Sequence, residues 1–199
     1  PMKNYTRYQR DSLVMDDIET RLLKSLEMVN EWLRFAEAKN AGLMVASGAV
    51  IAVLLQFFTS AQNLSKAWKA GLLVAVFLLT LSFLISLVSF LPRTRLAEIL
   101  TLTPGEPEET DNFYFFEHLG KYSPEQLVES VARLYFPELD SATSHRKSCL
   151  DVAAQVVVNS RITTHKLKLF STAAWFVFAG ILSIVFMPFL IFVWSVLRC

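Results

Sequence analysis

Cysteine, histidine and glycine are all scarce in this chain of 199 residues, and each shortage removes a class of function. The two cysteines, Cys149 and Cys199, are too few and too far apart for a disulfide framework or a zinc site. Cys149 falls in a segment expected on the cytoplasmic side, where a thiol stays reduced. The three histidines, His118, His145 and His165, are scattered. None stands at a metal-binding spacing from another His, Cys or Glu. No glycine-rich phosphate loop, no Gly-x-Ser-x-Gly and no HExxH occurs. Glu106, Glu108, Glu109 and Asp111 form a charge run in a proline-containing loop, which reads as solvated surface rather than a catalytic carboxylate pair. With no nucleophile or base to name, the chain is expected not to be an enzyme and to carry neither metal nor cofactor.

Charge is also sparse, and its total is uninformative. The net charge of +1 gives no reason to expect a nucleic-acid polymer as partner. The first forty residues lack the short apolar core of a cleaved signal, so none is expected there. Pro1, ahead of Met2, is expected to be the scar of a cleaved tag.

What the chain does contain is apolar surface. Hydrophobic residues make up 53% of it, with 16 phenylalanines, a composition that fits a membrane protein with a soluble portion. Three uncharged runs stand out: 41–58, 71–91 and 172–197, the last carrying Pro188. About 20 apolar residues cross a hydrocarbon core of about 30 Å. A core helix of a soluble protein is seldom apolar on every face for so long. Each run is therefore expected to be a transmembrane helix, with the first barely long enough.

Lysine and arginine set the expected orientation. One side gathers Arg21, Lys24, Arg34 and Lys39, then Arg93 and Arg95, then Arg161, Lys166 and Lys168. The other keeps only Lys66, Lys69 and Arg198. The N-terminus and the segment 92–171 are thus expected inside, with a hairpin at 59–70 and the C-terminus outside. Trp68 and Trp194 then fall at the outer interface, where amphipathic rings are favoured.

The polar segments also read as helical. From Asp16 to Lys39, Ile18, Leu22, Leu26, Val29, Leu33 and Ala36 follow helical spacing on one stripe, and no breaker precedes Gly42. The simplest reading of 2–40 is a cytoplasmic amphipathic helix continuous with the first span. Pro92 is expected to end the second span. Thr103–Asn112 is an acidic loop, and the aromatic run Phe113, Tyr114, Phe115, Phe116 follows it. Ser123-Pro124-Glu125-Gln126 carries a capping box with proline in the first turn, predicting a helix to about Tyr135 that stops before Pro137. From about Ser144, Leu150, Ala153, Val157, Thr164 and Leu167 share one face, with no Gly or Pro before Gly180. One helix of some fifty residues, about 75 Å, would lead into the third span. The fold expected is all-α: three transmembrane helices and a helical cytoplasmic domain built from the N-terminal helix, the 92–171 segment and stalk extensions of the spans.

Two groups of residues are candidates for function. Ser82, Ser86 and Ser89 make a polar stripe on the second span, and Gly42 with Ala46 offers a close-approach face on the first. Packing within one monomer and a subunit interface or pore wall are both open readings. Arg34, Lys39, Arg161, Lys166 and Lys168 read as topology anchors for anionic lipid, or in part as ligands for a nucleotide phosphate. Tyr114 and its Phe neighbours would stack on a base in the second case; a hydrophobic core for the small domain, or a contact with the membrane surface, is the other reading.

Three stretches together resemble the transmembrane effectors of Pycsar, bacterial antiphage systems that use cyclic pyrimidine nucleotides. They are Glu31-Trp32-Leu33-Arg34-Phe35-Ala36-Glu37-Ala38-Lys39-Asn40-Ala41 at the first span, Phe113 to Gln126, and Asn159-Ser160-Arg161-Ile162 with Lys166 and Lys168. The likeness covers about Leu22 to Val185. Glu37 stands where the family pattern has Asp, and Asn40 also departs from it. The resemblance implies a homo-oligomeric effector in the bacterial inner membrane. A partner cyclase would make cyclic CMP or cyclic UMP, and the effector would disrupt the membrane and abort infection. Arg34, Lys39, Asn159, Arg161 and Tyr114 are the expected ligand residues. The rival readings are an effector answering another nucleotide signal, and a membrane scaffold that binds a protein partner through its cytoplasmic helices.

Overall fold

A computed structural model of the protein describes residues 2–60, 64–91, 105–137 and 147–197. It holds five helices and no strand among those residues: α1 (Met2–Ser60), α2 (Lys66–Val88), α3 (Phe116–Leu119), α4 (Pro124–Tyr135) and α5 (Lys147–Leu197). All-α is the fold the apolar runs and helical spacings predict. Pro92, Arg93, Arg95, Thr103, Ser144, His145, Arg198 and Cys199, each part of an expectation above, lie outside the described residues.

The ends of the helices follow local chemistry. Ser65 caps α2 by accepting the Trp68 N–H at 3.5 Å. With α1 reaching Ser60, the connection is shorter than the hairpin expected at 59–70. At the other end α2 stops at Val88, and the Ser89 N–H bonds back to Ile85 O. The capping box of α4 forms as predicted: Ser123 Oγ accepts the Gln126 N–H, and Gln126 Oε1 accepts the Ser123 N–H. That helix ends at Tyr135, ahead of Pro137.

The chain divides into two units, and α1 and α5 contribute to each. The polar unit comprises residues 1–35 and 95–165. Its core joins Ile18, Leu22 and Val29 of α1 to Phe113 and Phe116, to Leu127, Val128 and Val131 of α4, and to Ala153, Val156 and Val157 of α5. The stripe predicted on α1 is only partly right. Leu26 is half-buried, while Met15 and Ser25 are buried beside it. On α5 the buried face runs through Cys149, Ala153, Val156, Ser160 and Thr163, with Leu150 and Thr164 half-buried. Small and polar side chains allow closer helix approach than Leu, and hydropathy does not mark them.

The spanning unit comprises 36–94 and 166–199. Its helices belong to three segments long and apolar enough to cross a membrane. Large apolar side chains such as Phe77, Trp175 and Val185 face outward, each more than half exposed. The inside combines Leu72 and Leu79 with small residues. Gly48 packs on Phe83, and a Cβ on Gly180 would stand 3.3 Å from Leu79 and 3.4 Å from the Ala75 carbonyl. The Ser183 hydroxyl donates to Gly180 O at 2.7 Å and lies 3.3 Å from Gly71 O. In α5 the helix continues through Pro188, as membrane helices tolerate.

Candidate sensing and membrane sites

In the polar unit, the segment 105–123 is tied to both long helices. The Ser25 hydroxyl of α1 donates to Phe113 O at 3.0 Å. Arg161 of α5 donates from Nε to Gly120 O at 2.8 Å and from its guanidinium terminus to Tyr122 O at 3.1 Å. A planar fork suits this task, because it serves two carbonyls at once. Arg161 was expected to anchor lipid or meet phosphate; here it ties a loop to a helix.

The same segment holds a buried polar centre that the sequence disguised. Asp111 belongs to the acidic run expected to be solvated, yet only 7% of it is exposed. Its carboxylate accepts from Lys121 Nζ and from the Glu108 N–H, each at 2.8 Å, and stands 3.2 Å from the Tyr122 hydroxyl. Burial alone would raise its pKa. The bonds from Lys121, the Glu108 N–H and Tyr122 outweigh that and hold it below the ordinary carboxylate range. Tyr122 is pushed up to about 12 by burial and by the Asp111 charge. His118 Nδ1 accepts the Asn112 N–H at 2.8 Å, fixing the turn that leads to the aromatic run. Asp111 needed a partner ten residues on, at Lys121, and a charge run shows none.

The aromatic run splits between core and surface. Phe113 and Phe116 are buried, whereas Tyr114 and Phe115 are half-buried. Phe116 meets Trp32 at a ring distance of 5.3 Å. Tyr114 helps line a cavity of about 10 Å³, together with Arg21, Ser25 and Tyr135. That volume holds about one water. The Arg21 guanidinium lies over the Tyr135 ring, 4.5 Å from its centroid.

The expected ligand residues each have their own neighbours. Asn159 bonds Asn30 at 2.8 Å, and Arg161 serves the loop carbonyls. Tyr114 keeps company with Arg21, thirteen residues before Arg34 on α1, or about 20 Å along a helix. Arg34 is exposed. Lys39, in the spanning unit, lies 5.0 Å from the centroid of the Phe170 ring. No group of three His, Cys, Asp or Glu able to hold a metal occurs among the described residues.

The spanning unit divides the small-residue candidates. Ser82, Ser86 and Ser89 are all buried, and Ser82 Oγ meets Ser47 Oγ of α1 at 3.3 Å. They pack within the chain. Gly42 and Ala46 face outward, with no atom within 4 Å of where a Gly42 Cβ would stand. Asn40, fully buried, donates from Nδ2 to Ala36 O at 2.9 Å and to Lys166 O at 3.1 Å.

Three helices long and apolar enough to cross a membrane, with a polar unit besides, agree with the layout expected from the sequence. The Pycsar effector protein domain matches residues 21–193, most of the chain and parts of both units. The chain belongs to this family. As a Pycsar effector it is a membrane protein of antiphage signalling through cyclic pyrimidine nucleotides, and the family's effectors of this transmembrane kind are not enzymes. No curated protein and no solved structure matches it.

Proposed function

We propose that this Pycsar effector is activated by a cyclic pyrimidine mononucleotide, cyclic CMP or cyclic UMP, and then disrupts the bacterial inner membrane to abort infection. The observation that carries the reading is the family match, which runs from α1 through the last span. A partner cyclase supplies the nucleotide, and the polar unit receives it on the cytoplasmic side, the side that the Lys and Arg excess favours for the N-terminus. Because α1 and α5 are continuous from one unit into the other, a ligand bound in the polar unit has a covalent route to the spans. It acts by binding the active arrangement better than the resting one.

For the ligand itself, Tyr114 offers a half-buried ring. Arg21 is the cation that shares a cavity lining with it. Asn159, Arg161 and Lys39 act through the packing of α5 and α1. Three spans are few for a pore, so the active form is a homo-oligomer. The outward Gly42–Ala46 face suits close helix approach between copies.

The test is dye release from liposomes that carry the folded protein, with cyclic CMP, cyclic UMP, cyclic AMP or buffer added. Release with one pyrimidine nucleotide alone establishes gating and names the ligand. Silence with every nucleotide, from correctly oriented protein, overturns the proposal and favours a scaffold.

A further inference from the structure

Among the described residues, the spanning unit buries three polar side-chain atoms for which the protein supplies no hydrogen-bond partner: Asn40 Oδ1, Ser86 Oγ and Ser89 Oγ. Asn40 and Ser86 are 0% exposed and Ser89 is 1% exposed. In a hydrocarbon setting such groups are costly to leave bare. Their positions are related. The Ser47–Ser82 contact fixes the register of α1 against α2, which the short connection makes antiparallel neighbours. Asn40 precedes Ser47 by seven residues, and Ser89 follows Ser82 by seven. Seven residues are two turns, about 10 Å, so Asn40 and Ser89 return to the facing sides at one depth. Ser86 lies one turn inward of Ser89 on the same face, with Cβ atoms about 5–6 Å apart.

We propose that Asn40, Ser86 and Ser89 form a buried water-binding site at this end of the spanning unit. The chemistry selects water. Asn40 Oδ1 only accepts, and its Nδ2 is already used by Ala36 O and Lys166 O. Each hydroxyl both donates and accepts, and a gap of about 5–6 Å between Cβ atoms is one that a bridging water spans. A water that donates to Asn40 Oδ1 and meets both hydroxyls has three partners, the usual number for buried water. A hard cation asks for about six oxygen ligands with carboxylate among them, and the three here are neutral. The wet seam is bounded inward. Beyond Ser82, the buried residues of α2 are Leu79, Ala75, Leu72 and Gly71. This site does not depend on which nucleotide gates the effector.

The experiment is water-edited solid-state NMR on the isotope-labelled full-length protein in lipid bilayers. Magnetisation from water should reach Ser86, Ser89 and the Asn40 side chain while Leu79 stays dark. It should also reach Ser86 before its outward-facing neighbour Leu87, which is 44% exposed. In Ser86→Ala, which removes only one oxygen, transfer to Ser89 should be lost and the melting temperature should fall. Ser86 and Ser89 as dark as Leu79 would overturn the site. So would equal transfer at Ser86 and Leu87, which would mean surface hydration. A Ser86→Ala variant that melts higher than the parent would show a dry hydroxyl and have the same force.

Discussion

Glu37 Oε1 and Lys166 Nζ lie 2.6 Å apart, joining α1 to α5 within the spanning unit. Asn40 bonds the carbonyl of the same Lys166. Both side chains therefore converge on one residue of α5. Glu37 pairs with its ammonium, while Asn40 holds its backbone.

The two halves of this pair are unequally solvated: the Lys166 side chain is 11% exposed and that of Glu37 is 45% exposed. Glu37→Gln should be the harsher change, since it strands a cation with little access to water, at a cost of about 1–3 kcal/mol. Lys166→Met removes that burden and should cost less. Thermal melts of both single variants and the double variant give the coupling, expected to exceed about 0.5 kcal/mol for residues in contact.

Arg161 should behave as a strap. Arg161→Ala loses charged hydrogen bonds to two carbonyls, each worth about 1.5–3 kcal/mol, and should lower the melting temperature without any nucleotide present. Arg161→Lys should recover little of that, because an ammonium lacks the planar fork. Tyr114→Ala, by contrast, should weaken the nucleotide response more than it lowers the melt.

The Asp111 centre predicts pH dependence at both extremes. The folded carboxyl sits below the unfolded value of about 3.9, so its stabilisation is complete above that pH and is lost as pH falls through the folded value. Tyr122 works in the opposite sense. Its folded value of about 12 exceeds the unfolded value of about 10, so stability is full below about 10 and lost as pH rises towards 12. Asp111→Asn should flatten the acid limb of a denaturation profile and Tyr122→Phe the alkaline limb.

Ser123→Ala should cost about 1 kcal/mol through loss of the α4 cap, and Ser123→Asp should restore most of it. Circular dichroism melts read both.

How much of this was legible in the sequence depended on how far apart the interacting residues stand. The α4 cap was fully readable because Ser123 and Gln126 are three residues apart and their geometry is local. The spans were readable because burial in lipid demands long apolar runs. The core stripe of α1 was readable at Ile18, Leu22, Val29 and Ala36, where hydropathy and burial agree. It failed at Ser25 and Asn40, which are buried because Phe113 O and Lys166 O wait for them, 88 and 126 residues away. Asp111 was misread for the same reason. Arg161 is exposed, and its bonds to the Gly120 and Tyr122 carbonyls, 41 and 39 residues away, leave no local trace.

Glu19 meets Ser148, Asn30 meets Asn159 and Glu37 meets Lys166, and every one of these pairs is separated by 129 positions. A constant difference means that the two parallel helices keep step residue for residue. It follows that insertions and deletions in this protein fall into two kinds. A matched pair of changes, one inside each helix, preserves the count. A single unmatched residue between Glu19 and Glu37 would turn everything beyond it by about 100° and mispair the later contacts together.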